Sequence, residues 1–93
     1  DDAADAIRRT NESRFGLCAG VLAATVEEGM LVARALEAGI IHVNDQTVND
    51  EPQMPFGGMK DSGWGRFGVG FAAEEFCDLQ WITSRSEPRA FPF

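Results

Sequence analysis

A strand–helix–strand pattern spans residues 17–44 and constrains the fold more than any other feature. Residues 17–23 are mostly small and apolar, which predicts a strand, and residues 40–44 are rich in β-branched side chains, which predicts a second strand covered on both faces. Between them, Thr25 and Glu28 form a capping box that predicts the start of a helix. This order of elements indicates a βαβ unit with parallel strands, and therefore an α/β fold.

The helix of this unit is predicted over residues 26–38, because apolar side chains recur there at helical spacing. Gly39 stands where a left-handed glycine commonly closes a helix. Another helix is predicted to end near Asn11, because residues 1–12 contain neither glycine nor proline. The two helices flank the first predicted strand.

A long loop follows the second strand. Residues 45–67 contain Pro52, Pro55 and four glycines, and they show no helix or strand periodicity. Open parallel sheets bind ligands just beyond the carboxyl ends of their strands, and a loop of this length in a compact domain is uncommon unless it serves a site. We therefore expect the loop to carry the function.

The rest of the chain is predicted to form a short helix over residues 71–79, a terminal strand over residues 80–83 and an extended tail over residues 84–93. A two-stranded sheet has too little area to be stable alone. We therefore expect the chain to complete a larger sheet supplied by other residues or by another chain.

Charge and cysteine content limit the partners. Fifteen acidic against eight basic side chains give a formal net charge of -7, which disfavours nucleic acid and anionic membranes as partners. The longest apolar run is far shorter than the ~20 residues that cross a bilayer. The two cysteines lack C-x-x-C spacing, and a reducing, cytoplasmic location is expected.

The cysteines and the single histidine form no recognisable catalytic or metal motif. Cys18, Cys77 and His42 cannot assemble a zinc site. Because Cys77 lies among acidic residues that disfavour a thiolate and Cys18 lies in a strand, we expect both to be buried and structural. His42 is expected to be hydrogen-bonded in a core or an interface.

Two other features imitate binding motifs. Residues 63–68 match the spacing G-x-G-x-x-G, but no apolar strand directly precedes them, so tight turns and close backbone packing are favoured over a dinucleotide site. Asp45, Asp50 and Glu51 lack the regular alternation of a calcium loop. We expect these carboxylates to be solvated or hydrogen-bonded.

Phe56 is the loop residue best placed to contact a ligand. Pro55 fixes the approach to it, and the two glycines that follow let the chain turn. From the residues alone, the side chain of Phe56 either lines a pocket or fills part of the core.

Residues 37–44, 55–60 and 62–66 resemble, in order and spacing, the carboxyl-terminal part of the aldehyde dehydrogenase superfamily. Asn11 with residues 15–17 is similar to a segment ahead of a strand in that family. The resemblance covers essentially residues 3–84.

Residues 44–56 most resemble those of the benzaldehyde, vanillin and salicylaldehyde dehydrogenases. Phe67 agrees with this branch, because most members of the superfamily carry glutamate there. The resemblance implies a parent enzyme that oxidises an aromatic aldehyde to the carboxylic acid with NAD or NADP.

For this chain, the resemblance implies the carboxyl-terminal fragment of a catalytic domain over residues 1–79, with an oligomerisation strand and tail over residues 80–93. The family's nucleophilic cysteine, general-base glutamate and cofactor glycine motif have no counterpart here. The isolated chain is therefore predicted to be inactive and to bind no cofactor alone. Its expected partners are the rest of the dehydrogenase chain, a small aromatic aldehyde, and identical subunits in a homodimer or homotetramer.

The resemblance also assigns site residues. Phe56 matches the aromatic residue that lines the aldehyde tunnel, and Thr47 and Val48 lie in the variable substrate loop. The positions that support the active-site loop are matched by Asn44, Gly57, Gly58 and Gly63. The alternative is a non-catalytic, truncated module that binds a partner through its terminal strand.

Overall fold

Three helices and four short strands occur within residues 2–90, the part of the chain that the computed structural model describes. They are α1 (Ala3–Asn11), β1 (Phe15–Gly16), β2 (Cys18–Val21), α2 (Val26–Ala33), β3 (Ile40–Val43), β4 (Met59–Lys60) and α3 (Phe71–Glu75). The predicted α/β class is confirmed, and so is a first helix that ends at Asn11.

The predicted βαβ unit is formed by β2, α2 and β3. The two strands run parallel, with Cys18 opposite Ile40 and Val21 opposite Val43. α2 packs closely on this pair, since a Cβ on Gly29 would lie 2.4 Å from Cγ1 of Val43. Only a glycine permits this approach of helix to strand.

α2 begins where predicted but ends early. Oγ1 of Thr25 accepts a hydrogen bond from the backbone N–H three residues later at 3.2 Å, as an N-cap does. The helix ends at Ala33 instead of residue 38. The cause is Asn11, which donates from Nδ2 to the carbonyl of Ala35 at 2.8 Å and accepts at Oδ1 from the N–H of Glu37 at 2.9 Å. These bonds fix the chain in a non-helical path.

The predicted role of Gly39 as a left-handed helix terminator is wrong. Gly39 lies well beyond the end of α2 and is absent from the glycines with positive φ among the described residues. Its N–H donates to the carbonyl of Gly16 at 3.0 Å, and a Cβ on it would lie 1.9 Å from the carbonyl oxygen of Gly57. The position therefore requires glycine because two backbone segments approach each other there.

The strand predicted over residues 17–23 is shorter in the structure, where β2 spans Cys18–Val21. β1 precedes it and pairs antiparallel with β4, with Phe15 opposite Lys60. β4 lies inside the loop of residues 45–67, which was predicted to contain no strand. A two-residue strand is too short to leave a period in the sequence, and its partner is distant along the chain.

The carboxyl-terminal elements also differ from their predictions. α3 ends at Glu75 instead of residue 79, and no side chain caps its first turn. Residues 80–83 form no strand within the described chain, and Trp81 and Ile82 are 89% and 75% exposed. A strand requires a hydrogen-bonded neighbour, and this chain supplies none there. The predicted tail shows no helix or strand up to residue 90, and residues 91–93 lie outside the described part.

The buried core within the described residues is small. Its apolar side chains are Val21 and Ala33, between the β2–β3 pair and α2. The chain exposes 7891 Å², whereas a compact monomer of this size exposes about 5,300 Å². Its radius of gyration is 20.5 Å, against about 12 Å for a compact domain of this length. These values agree with the expectation that the chain completes a larger sheet.

None of the helices within residues 2–90 has the length and apolar character needed to span a membrane.

Candidate functional site

An open cleft of about 370 Å³ lies between β3 and the loop that follows it. Its apolar lining residues include Ile40, Ile41, Met54 and Phe56. The other lining residues are Gly39, His42, Asn49, Asp50, Glu51 and Pro55. Phe56 is half-buried in this position. Apolar walls with a few polar groups are typical of small-molecule sites.

Backbone hydrogen bonds hold Phe56 at the cleft. Its N–H donates to the carbonyl of Phe67 at 3.0 Å, and the N–H of Phe67 donates back at 2.6 Å. Next to this pair, the N–H of Val69 donates to the carbonyl of Pro52 at 3.1 Å. The loop is therefore closed into two paired arms, and Phe56 sits on the first arm.

The two glycines after Phe56 are buried and tightly packed. A Cβ on Gly57 would lie 2.5 Å from the carbonyl oxygen of Gly65, and a Cβ on Gly58 would lie 2.5 Å from Cβ of Ser62. Gly63 differs, because nothing lies within 4 Å of its Cβ position, but its φ of 121° is strained for other residues. The three glycines thus shape the turn beside Phe56 for two separate reasons.

Asn44 joins the carboxyl ends of the parallel strands. Its N–H donates to the carbonyl of Val21 at 2.8 Å, and its Oδ1 accepts from the N–H of Ala23 at 2.8 Å. Its φ of 56° places it in the left-handed region, which asparagine tolerates better than most residues. The loop that carries Phe56 leaves the sheet from this fixed point.

Thr47 and Val48 do not line the cleft with Phe56. The methyl group of Thr47 lies beside β2, 3.1 Å from the Cβ position of Gly20, and Val48 is 82% exposed. The structure therefore separates these two from Phe56, and their substrate contact stays a prediction.

Three polar side chains from the motifs of residues 55–60 and 62–66 also hold the loop. Oγ of Ser62 accepts from the N–H of Gly16 at 2.9 Å. Nζ of Lys60 donates to the carbonyl of Asn11 at 2.7 Å and pairs with the Glu37 carboxylate at 2.7 Å. The third is Arg66, whose Nη1 contacts two loop carbonyls. The family resemblance includes these three positions, but it does not indicate which atoms their side chains contact, because polar residues in an irregular loop follow no period.

The predicted burial of both cysteines is wrong for Cys77, which is exposed, while Cys18 is half-buried in β2. Both are free thiols. His42 is half-buried, but its Nε2 is buried without a hydrogen-bond partner among the described residues, so the predicted hydrogen bond is not formed at that atom. Neither cysteine lines the cleft.

The loop carboxylates behave as predicted. Asp45 accepts from the N–H of Gln46 and from Nδ2 of Asn49, and Glu51 accepts from Gln53. Within residues 2–90, no three histidine, cysteine or acidic side chains are grouped closely enough to hold a metal ion.

The glycine segment of residues 63–68 does not fit a dinucleotide. It leads into α3, a helix of five residues, rather than linking a long strand to a helix. The Glu75 carboxylate lies against it, 2.8 Å from the Cβ position of Gly65, where it would repel a pyrophosphate. This geometry supports the interpretation of these glycines as turn residues.

Comparison with known sequences gives the same assignment along nearly the whole chain. The sequence model of the aldehyde dehydrogenase family matches residues 1–82. The chain is 44% identical to benzaldehyde dehydrogenase YfmT of Bacillus subtilis (strain 168) over 100% of its length. It is also 44% identical, over 92% of its length, to a vanillin dehydrogenase of Pseudomonas sp. (strain HR199 / DSM 7063). It spans only 19% and 18% of these two curated relatives.

Comparison with solved structures gives the same family assignment. The fold matches a salicylaldehyde dehydrogenase from Pseudomonas putida G7, solved in complex with salicylaldehyde, with a TM-score of 0.91 and 36% identity. The match covers 100% of this chain and 19% of that protein. The resemblance drawn from the motifs is confirmed, including the similarity to dehydrogenases of aromatic aldehydes. The chain belongs to the aldehyde dehydrogenase family.

Proposed function

We propose that this chain is the carboxyl-terminal portion of the catalytic domain of a dehydrogenase that oxidises an aromatic aldehyde to the carboxylic acid. In this proposal, the chain supplies one wall of the aldehyde site and a segment for oligomerisation. The names of its relatives support an aromatic substrate, since they include benzaldehyde, vanillin and salicylaldehyde dehydrogenases.

The position of Phe56 carries the proposal. Phe56 lines a cleft together with the apolar residues Ile40, Ile41 and Met54, on a loop that leaves the carboxyl end of a parallel strand. An aromatic wall binds an aromatic aldehyde through offset or edge-to-face ring contacts. Asn44, Gly57, Gly58 and Gly63 support this wall. Thr47 and Val48 lie outside this cleft, and they are proposed to contact the aldehyde from the variable loop in the complete enzyme.

The reaction chemistry is assigned to the rest of the enzyme. Cys18 is half-buried within β2, Cys77 is exposed after α3, and neither lines the cleft of Phe56. The remaining portion supplies the cysteine, the glutamate and the residues that bind NAD or NADP, which accepts the hydride. No residue of this chain is proposed to hold the cofactor, and the chain alone is expected to be inactive.

Residues 80–85 are proposed to pair with a neighbouring subunit in a homodimer or homotetramer. Trp81 and Ile82 are largely exposed in this chain, and an adjacent strand would cover them and pair their backbone groups. The adjacent strand of another subunit would be the hydrogen-bonded partner that residues 80–83 lack within the described part of this chain.

Replacement of Phe56 in the complete enzyme tests the substrate assignment. Phe56→Ala is expected to raise KM for benzaldehyde about tenfold, because it removes a ring contact and apolar area, and to change KM for a short aliphatic aldehyde far less. Phe15→Ala is the matched control, since Phe15 lies in β1 outside the cleft. Equal changes for the two aldehydes would exclude Phe56 as the aromatic wall.

The exposed segment around Trp81 also fits the alternative, a non-catalytic module that binds a partner through this segment. Mixing the chain with the amino-terminal portion of the enzyme separates the two functions. The proposed dehydrogenase predicts turnover of benzaldehyde only when both portions are present. A stable complex with no turnover would favour the binding module.

A further inference from the structure

Arg66 connects the two arms of the loop that carries Phe56. Its Nη1 donates to the carbonyl oxygen of Gly58 at 2.9 Å and to that of Gly65 at 2.7 Å. Gly58 lies on the arm that leaves Phe56, and Gly65 lies on the arm that returns to Phe67. One guanidinium nitrogen therefore ties the arms together beside the backbone pair of Phe56 and Phe67.

The backbone that Arg66 contacts has no side chains of its own to hold it. Gly57 and Gly58 are buried, and a Cβ on Gly57 would lie 2.7 Å from Cδ of Arg66. The aliphatic part of Arg66 thus packs along the glycine pair, and its charged end binds the carbonyl at the far side. Because glycine restricts its own backbone less than any other residue, these contacts determine the path of the chain after Phe56.

A guanidinium is suited to this role. It is planar and always charged, and its N–H groups point in fixed directions, so it binds two carbonyl oxygens with defined geometry. Hydrogen bonds from a charged donor are also stronger than those between neutral groups. A lysine ammonium has the charge but not the fixed directions.

We propose that Arg66 is a positioning residue that sets the place of the Phe56 ring in the aldehyde site. Arg66 acts through the carbonyl of Gly58, two residues after Phe56, and does not itself line the cleft. The inference rests on the proposed function, because the place of the ring affects turnover only if Phe56 lines the aldehyde site.

Variants of Arg66 in the complete enzyme test this role. Arg66→Met is expected to raise KM for benzaldehyde about tenfold, the effect of losing charge-assisted hydrogen bonds, and to leave KM and kcat for a short aliphatic aldehyde nearly unchanged. Arg66→Lys should recover part of the loss, because an ammonium can still bind one carbonyl. Arg14→Met is the matched control, since Arg14 pairs with Asp61 and stacks on Phe15 outside the cleft.

A double variant separates positioning from general stability. If Arg66 acts through the ring of Phe56, adding Arg66→Met to Phe56→Ala should not raise the KM for benzaldehyde further. Additive effects, or equal effects of Arg66→Met on both aldehydes, would overturn the inference. If Arg66→Met does not fold, the same comparisons are made with Arg66→Lys.

The failure of this inference and the failure of the proposed function give different results. If Phe56→Ala changes KM equally for benzaldehyde and for the aliphatic aldehyde, the proposed function is overturned as well. If Phe56→Ala affects benzaldehyde more but Arg66→Met affects both aldehydes equally, this inference alone is overturned.

Discussion

At the scale of single residues, backbone contacts at glycine set the geometry of the candidate site. Gly39 and Gly57 approach so closely that a Cβ on Gly39 would lie 1.9 Å from the carbonyl oxygen of Gly57. A Cβ on Gly68 would lie 2.3 Å from the carbonyl oxygen of Met54, next to the start of the Phe56 arm. Side chains at these positions would push the loop away from β3 and change the cleft.

Asn44 provides a test of the support assigned to the loop. Asn44→Ala is expected to weaken the end of the strand pair by about 2 kcal/mol, because it removes the bond to the Ala23 N–H and places alanine at a φ of 56°. Hydrogen exchange of the Ala23 amide in the complete enzyme should then be roughly thirtyfold faster.

Two variants control this experiment. Asn44→Asp keeps an acceptor oxygen and tolerates the left-handed region, so slow exchange should be largely restored. Asn49→Ala removes an amide that donates to the carboxylate of Asp45 and should leave the exchange of the Ala23 amide unchanged. Similar exchange in Asn44→Ala and the original enzyme would contradict the support role.

At the scale of elements, the sequence predicts what depends on neighbours along the chain. The start of α2 follows from Thr25, and the parallel pair β2–β3 follows from two apolar runs joined by a helix. The end of α2 depends on Asn11, and β4 depends on β1. Both partners are distant along the chain, so local periodicity does not predict these two features. The family motifs contain Phe56, the supporting glycines and Arg66, but they do not indicate the carbonyl oxygens that the Arg66 side chain contacts.

The segment of residues 80–85 is proposed to pair with a neighbouring subunit, and proline substitutions test this pairing. Proline removes a backbone N–H, and successive N–H groups of a strand point to opposite edges. Of Ile82→Pro and Thr83→Pro, at least one is therefore expected to break pairing between subunits and shift the complete enzyme toward smaller assemblies. Sedimentation velocity measures this shift.

Ser86→Pro is the control for the proline experiment, because residue 86 lies beyond the proposed strand. It should leave the assembly intact. If neither Ile82→Pro nor Thr83→Pro changes the assembly, the segment does not pair subunits.

At the scale of the whole molecule, many large apolar side chains are exposed, which indicates that other protein surfaces pack against this chain. Trp64, Phe76 and Leu79 are exposed almost completely, in addition to Trp81 and Ile82. Burial of apolar surface is the main stabilising contribution to a fold, and two buried apolar side chains provide little of it. The missing contribution is expected from the rest of the catalytic domain and from the neighbouring subunit.

Small-angle scattering of the isolated chain tests this view. We expect a radius of gyration near 20.5 Å, as in the structure, or a larger value from association through apolar surface. A monomer with a radius of gyration of about 12 Å would show that the chain compacts into an independent domain.

The most direct test of the central claim is to isolate the native polypeptide with an antibody against residues 45–68. Its mass is measured, together with its oxidation of benzaldehyde, vanillin and salicylaldehyde with NAD and with NADP. Because the chain spans 19% of the benzaldehyde dehydrogenase of Bacillus subtilis, we expect a polypeptide roughly five times longer that oxidises at least one of these aromatic aldehydes. A polypeptide of 93 residues, or a longer one that oxidises none of them, would contradict the central claim.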